Sequence, residues 1–212
     1  MKLDWSVVWA NSGALAQGTA LTVALAVPGG ILLALLRLSG SRALAGASAG
    51  FTELFRNLPL ILVIYSAYYV MPIALGVSFS PFVTGLVALS LNVSAYNGET
   101  FRAGIASIRK GQGEAALALG MSRWQTMREV VLPQAVRRVL PVLASTWVSL
   151  FKDTSLVSVI AVGELAYTAM RIRSQSFRVL EMLTAMAAIY WLLGYPQAKL
   201  VDWLNRRYGI SE

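Results

Sequence analysis

Long uncharged apolar stretches alternate with short basic ones along the chain. No Asp, Glu, Lys or Arg occurs from Trp5 to Leu36, nor from Asn57 to Gly98. A helix needs roughly 20 mostly apolar residues to cross a bilayer, so the first stretch has room for one span and the second for two. Pro72, Gly76 and Pro81 fall in the middle of the second and predict two helices joined by a turn. Further apolar segments run from Val139 to Gly163 and from Met182 to Leu200. The pattern predicts an all-α integral membrane protein of about five transmembrane helices. Its single domain, residues 1–212, carries spans at about 13–37, 51–74, 81–105, 134–162 and 181–202 and a loop at about 106–133.

Composition agrees, with 57% hydrophobic and 13% charged residues. The net charge of +8 could suggest nucleic acid, but the cations sit beside the spans and form no single basic face. Cytoplasmic loops carry the excess of Lys and Arg. Three regions are rich in them: Arg37, Arg42 and Arg56; then Arg102 to Arg138; then Lys199, Arg206 and Arg207. An amino terminus outside and a carboxyl terminus in the cytoplasm put all three on the inner side. Arg171, Arg173 and Arg178 are the exceptions. The first apolar stretch is longer than a signal-peptide core and reads as a retained span. Trp5, Trp9, Trp203 and Tyr208, at span ends, read as an interfacial belt.

The sequence has no cysteine and no histidine. Ser-His-Asp triads, Cys-His pairs and the usual zinc sites are therefore excluded, and no metal site is expected. No G-x-x-x-x-G-K-[ST] phosphate loop occurs either, so ATP hydrolysis is not expected of this chain. Secondary carriers are often built from two related halves, and no internal repeat is visible here. A chain of this size encloses little volume, which calls for a second copy or a paralogous subunit.

The loop carries the most specific signal. Gly111 and Gly113 flank Gln112, Glu114 to Leu119 is a run of helix formers, and Gly120 can end it in a left-handed cap. Ser122 is a candidate N-cap for a second short helix at 123–132, which Pro133 is expected to close. Gly111 and Gly120 read as the turns that set the first helix across the membrane plane.

Glu114-Ala115-Ala116, Gly120, and then Val130, Leu132 and Pro133 resemble the EAA loop of the permease subunits of ATP-binding-cassette (ABC) importers, with Val130 where the family has Ile. The words FRNLPL at 55–60, SAYNGETFRAGIASIRKGQGEAALALGMS at 94–122, LPQAVRRVLP at 132–141 and LFKDTSLVSVIAVGEL at 150–165 are similar to the polar amino-acid uptake group, the histidine, glutamine and glutamate/aspartate permeases. The stretch ALALGMSRWQTM and the YYVMP ending of the second span resemble the glutamate/aspartate branch most. Ser145 stands where members often have Asn.

The resemblance implies the type I ABC importer permease fold in a bacterial inner membrane. Two permease subunits, as a homodimer or a paralogous heterodimer, would line one path above a dimer of nucleotide-binding ATPase subunits. ATP and Mg would be bound by those ATPases, with no cofactor in this chain, and an extracytoplasmic binding protein would deliver the solute. Gly111, Glu114, Ala115, Ala116, Leu117, Gly120, Met121 and Ser122 would form the ATPase-coupling surface.

For the solute path the candidates are Lys152, Asp153, Thr154 and Ser155, with Tyr96, Asn97 and Glu99. Charges in mid-span are costly and usually functional, and Thr154 and Ser155 can compete with the helical ladder. The fourth span is therefore expected to break at Lys152 to Ser155. Two bland alternatives stay open: a structural Lys152–Asp153 ion pair, and an i,i+3 pair of Glu99 with Arg102. An ion-gradient-driven carrier would need buried carboxylates, for which only Glu99 and Asp153 are candidates. Glutamine, histidine or arginine is the alternative cargo.

Overall fold

The computed structural model describes the backbone of residues 6–208 and the side chains of residues 17–208. Trp5 and the side chain of Trp9 lie outside them. Helix α1, Ser6–Leu38, is followed after a short turn by α2, Arg42–Asn57, N-capped by Ser41. Leu58 precedes Pro59 and takes extended backbone angles, because the proline ring excludes the helical region for its predecessor. The chain bends there by 107° between Arg42–Asn57 and Leu60–Leu75. The expected single span at 51–74 is thus corrected to two helical pieces with a sharp corner. The second piece contains α3 (Leu60–Tyr65), a wide π turn over Ser66–Val70 and α4 (Met71–Leu75). Gly76, at φ +67°, closes it.

Helix α5, Pro81–Ala106, leads to the short α6, Lys110–Ala118. Helix α7, Arg123–Gln125, a π turn over Thr126–Val131 and α8, Leu132–Asp153, then follow without interruption. Beyond Asp153 the chain tightens into a 3-10 helix over Thr154–Ile160, turns by 47°, and continues as α9, Leu165–Ser176, and α10, Val179–Tyr208. By length and composition, Gln17–Leu38 and Val179–Tyr208 can each cross a bilayer, and the number rises to four if each bent pair counts as one span. The expected count of about five needs α5 as well.

Helix α5 carries Thr84, Ser90, Asn92, Ser94 and Asn97, all buried. It turns inward the groups that lipid cannot solvate. The outward-facing surface has the opposite character: Leu32, Leu35, Trp191, Leu192, Leu200 and Trp203 are all more than half exposed. A soluble protein rarely shows such continuous apolar surface; a bilayer covers it.

Apolar transfer contributes little between helices in lipid, so close backbone approach and hydrogen bonds do the work. The α1–α5 crossing is built that way. A methyl group added at Gly29 would lie 2.4 Å from Ser94 Oγ, and one at Gly30 would lie 2.5 Å from Asn97 Cβ. Ser94 Oγ and Asn97 Nδ2 both donate to the Ala26 carbonyl at 3.4 Å. Around this crossing Ala26, Ile64, Leu89, Val93, Leu150 and Val157 form the main apolar core.

Candidate functional site

The loop after α5 is a folded element. Its first helix packs against the π turn that follows the second, with Gly113 close to Thr126. Gly120 adopts φ +82°, so the expected left-handed stop is present. Gly111 lies inside α6 and is no turn; Lys110 and Gly111 simply start the helix. Ser122 is the N-cap of α7, with a capping box: Gln125 N–H donates to Ser122 Oγ at 3.2 Å, and Ser122 N–H donates to Gln125 Oε1 at 2.8 Å.

Pro133 does not close the second helix. It lies in the first turn of α8, directly after the π turn, where Leu132 N–H bonds back to the Met127 carbonyl. A proline in mid-helix collides with the carbonyl four residues earlier and offers no N–H; a five-residue bonding step moves that carbonyl aside and lets the helix continue. Pro72 follows the π turn at Ser66–Val70 in the same way, with Met71 N–H bonded to the Ser66 carbonyl.

On α6, Ala116 is buried against the rest of the loop, while Glu114, Ala115 and Leu117 face outward. Leu119 is 84% exposed and Trp124 70%. With Gly120 and the partly buried Met121 between them, these side chains give the loop a small apolar tip. The loop is pinned to α8 by Arg138, whose guanidinium donates to the Ser107 carbonyl at 2.5 Å and to its hydroxyl at 3.0 Å.

The residues expected along a solute path are divided among different surroundings. Asp153 and Tyr96 line one cavity of about 440 Å³ with Asn92, Ser145 and Ser149, beside the α2–α3 corner. Tyr96 O–H donates to the Arg56 carbonyl at 3.5 Å, and the Arg56 guanidinium stands 5.6 Å from the Tyr96 ring centre. Asn92 Nδ2 donates to the Phe55 carbonyl at 2.9 Å, so α5 satisfies two of the carbonyls freed where α2 ends.

Thr154 faces a second cavity of about 320 Å³, toward α1 and the start of α5. Its hydroxyl donates to the Phe151 carbonyl at 2.7 Å, as the Ser155 hydroxyl does to that of Lys152. These bonds satisfy carbonyls where the α ladder gives way to the tighter 3-10 turn. Lys152 is exposed. Among the described residues the ion pairs are Glu99–Arg102 and Lys199–Asp202; Lys152 and Asp153 form none. Neighbouring positions on a helix point apart, and the two side chains lie outside ion-pair distance of each other.

Glu99 is engaged by Arg102 through two hydrogen bonds of 2.9 and 2.5 Å, which favours the local pair. Asn97 is 4% exposed and belongs to the α1–α5 crossing; it lines a neighbouring cavity of about 780 Å³, not the one that holds Asp153. Sequence reasoning overlooked Asn92 and Ser149, whose polarity in a lipid-embedded helix was the available signal. It also gave no role to Glu164, 3% exposed, although the word LFKDTSLVSVIAVGEL contains it.

A lipid-exposed helical bundle with a capped loop ahead of a long bent helix is the arrangement of an ABC importer permease. The chain belongs to the family of binding-protein-dependent transport system inner membrane components, which it matches over residues 26–210. It is a multi-pass membrane protein, a transport subunit. It is 35% identical to the glutamine transport system permease protein GlnP of Escherichia coli (strain K12), over 99% of this chain and all of that one. It is 34% identical to the glutamate/aspartate import permease protein GltK of Escherichia coli O6:H1, over 97% and 98%. A crystal structure of an amino acid ABC transporter with histidines shares the fold at a TM-score of 0.89 and 30% identity, over 98% of this chain and all of that chain.

Proposed function

We propose that the chain is the membrane subunit of an ATP-driven importer of polar amino acids, with glutamate and aspartate as cargo. The observation that carries this reading is the polar cavity formed by Asp153, Tyr96, Asn92, Ser145 and Ser149 inside an apolar bundle. An amino acid is a zwitterion, so its site needs an acceptor for the ammonium group and donors for the carboxylate. Asp153 supplies the first; for the second the Ser149 hydroxyl lines the cavity, and those of Ser145 and Tyr96 would turn to the solute from the Pro141 and Arg56 carbonyls they now bond. Arg56, stacked near Tyr96, adds the positive charge that a second carboxylate favours. Glutamine is the rival cargo, supported by the similarity to GlnP.

Two such subunits line one path. ATPase subunits holding ATP and Mg receive the tips formed by α6 and α7, and a binding protein outside delivers the solute. The amino terminus is outside and the carboxyl terminus in the cytoplasm. ATP binding draws the two loops together, and because α7, the π turn and α8 are continuous, that movement passes along α8 to Asp153. This is coupling between distant sites through one shared element.

The test is uptake of labelled glutamate, aspartate and glutamine into proteoliposomes holding the complete transporter and its binding protein. Glutamate and aspartate should enter only with internal ATP. Entry of glutamine alone would overturn the cargo assignment, and uptake driven by an ion gradient without ATP would overturn the ATP-driven mechanism. Asp153→Asn should reduce uptake at least about tenfold, the loss of one charged hydrogen bond. The exchange Lys152→Asp/Asp153→Lys should not restore it.

A further inference from the structure

The 161–164 corner between the 3-10 helix and α9 is fixed by one buried acidic group. Glu164 Oε2 accepts from Ala166 N–H at 2.8 Å and Oε1 from Tyr167 N–H at 2.7 Å, capping α9. Oε2 also accepts the hydroxyl of Tyr190, on α10, at 3.1 Å. The Tyr190 ring meets Phe151 of α8 edge-on, with centres 5.8 Å apart, and Ser155 is a further hydrogen-bonding neighbour of its hydroxyl. One tyrosine thus touches α8 next to Asp153, the 3-10 turn and the cap of α9.

Helix capping alone explains the two backbone bonds; it explains neither the burial nor the third donor. At the start of the corner, Ala161 stands at φ +61°, a left-handed conformation that costs a non-glycine residue energy and persists only where surrounding contacts impose it. Glu164, Ala161 and Gly163 also form part of the wall of the 320 Å³ cavity, facing Gly18 and Thr22 of α1 and Phe82 of α5.

We infer that Glu164 and Tyr190 are positioning residues of the outer gate: their hydrogen bond latches the 161–164 corner against α8 and α10, and its release lets this wall swing outward and opens the cavity to the outside. The inference rests on the proposed orientation. It also makes the gate sensitive to α8, because Phe151 and Ser155 move with the segment that carries Asp153.

The chain has no native cysteine, so Leu86→Cys, in the same cavity, is a clean reporter. In proteoliposomes of the complete transporter without ATP, an impermeant thiol reagent should label it slowly. Tyr190→Phe keeps the ring against Phe151 and removes only the hydroxyl, and should raise the labelling rate about tenfold, one charged hydrogen bond in an opening equilibrium. Glu164→Gln should raise it at least as much, because an amide has one accepting oxygen where the carboxylate uses two and so also loses a cap bond, and adding Tyr190→Phe to it should change little further, since the two side chains act through one contact. Basal ATPase activity should rise with the labelling. Parental labelling and ATPase rates in a folded Tyr190→Phe transporter would overturn the latch, as would strictly additive effects. A Ser78→Cys control labelled from the same side keeps a wrong orientation distinguishable from a wrong latch, and neither readout depends on the cargo.

Discussion

Single residues act here mainly through what their neighbours leave no room for. Gly30 has Asn97 Cβ at 2.5 Å and the backbone of Asn97 and Gly98 at 3.1 Å from where its own Cβ would be. Gly46, on α2, has nothing within 4 Å. Gly30→Ala should therefore lose about 1–3 kcal/mol of stability by overpacking, because backbone cannot step aside as a flexible side chain can. Gly46→Ala should gain up to about 1 kcal/mol from helix propensity. Thermal unfolding of the two variants in detergent checks the contrast, and equal effects would refute the close crossing. Residue chemistry was partly legible in the sequence. Gly120 follows a run of helix formers, so its cap could be read locally. Asn97 could not, because a polar side chain in an apolar helix looks the same whether it faces a solute or a neighbouring carbonyl.

Among the elements, the α6–α7 loop is where folding and the proposed coupling can be told apart. Ala116 faces the loop's own interior and Ala115 faces out, though they are adjacent and identical. Ala115→Asp should leave insertion and thermal stability unchanged while removing substrate-stimulated ATP hydrolysis in the reconstituted transporter, because a carboxylate would be buried without a partner in the ATPase, at about 1–3 kcal/mol or more. Ala116→Asp should lower stability itself. Gly120→Val should also uncouple, since a β-branched residue resists φ +82°. Measured ATPase activity and uptake decide it; normal coupling in both Ala115→Asp and Gly120→Val would remove the loop from the proposed mechanism. The run from Arg123 to Ile160 shows a limit of reading elements locally. Pro133 predicted a stop, and the wide turn before it permits continuation. Whether a proline ends a helix depends on which carbonyls the preceding turn uses, and no residue type announces that.

For the whole molecule the decisive quantity is which side of the bilayer each end occupies. Ser78 and Ala106 are both exposed, near opposite ends of α5, so cysteines there report from the two compartments. Ser78→Cys should react with an impermeant reagent in intact cells and Ala106→Cys only after permeabilisation; the reverse pattern would invert the orientation and put the loop where no ATPase can reach it. By itself, the sequence determined the class: its uncharged stretches demanded a bilayer, its missing histidine and cysteine removed most catalysis, and the spacing from Glu114 to Pro133 marked the loop. These are local or compositional properties, and they survive without knowledge of the fold. Tertiary structure alone decided that the chain turns by 107° at Pro59, that Asp153 joins Tyr96 and Asn92 in one cavity while Thr154 and Lys152 face elsewhere, and that Glu164 meets Tyr190 across 26 positions. The direction a side chain takes from a helix follows from its turn, but what it meets there depends on how helices cross, and in this chain the crossings are set by glycines and buried amides whose partners lie far away in sequence.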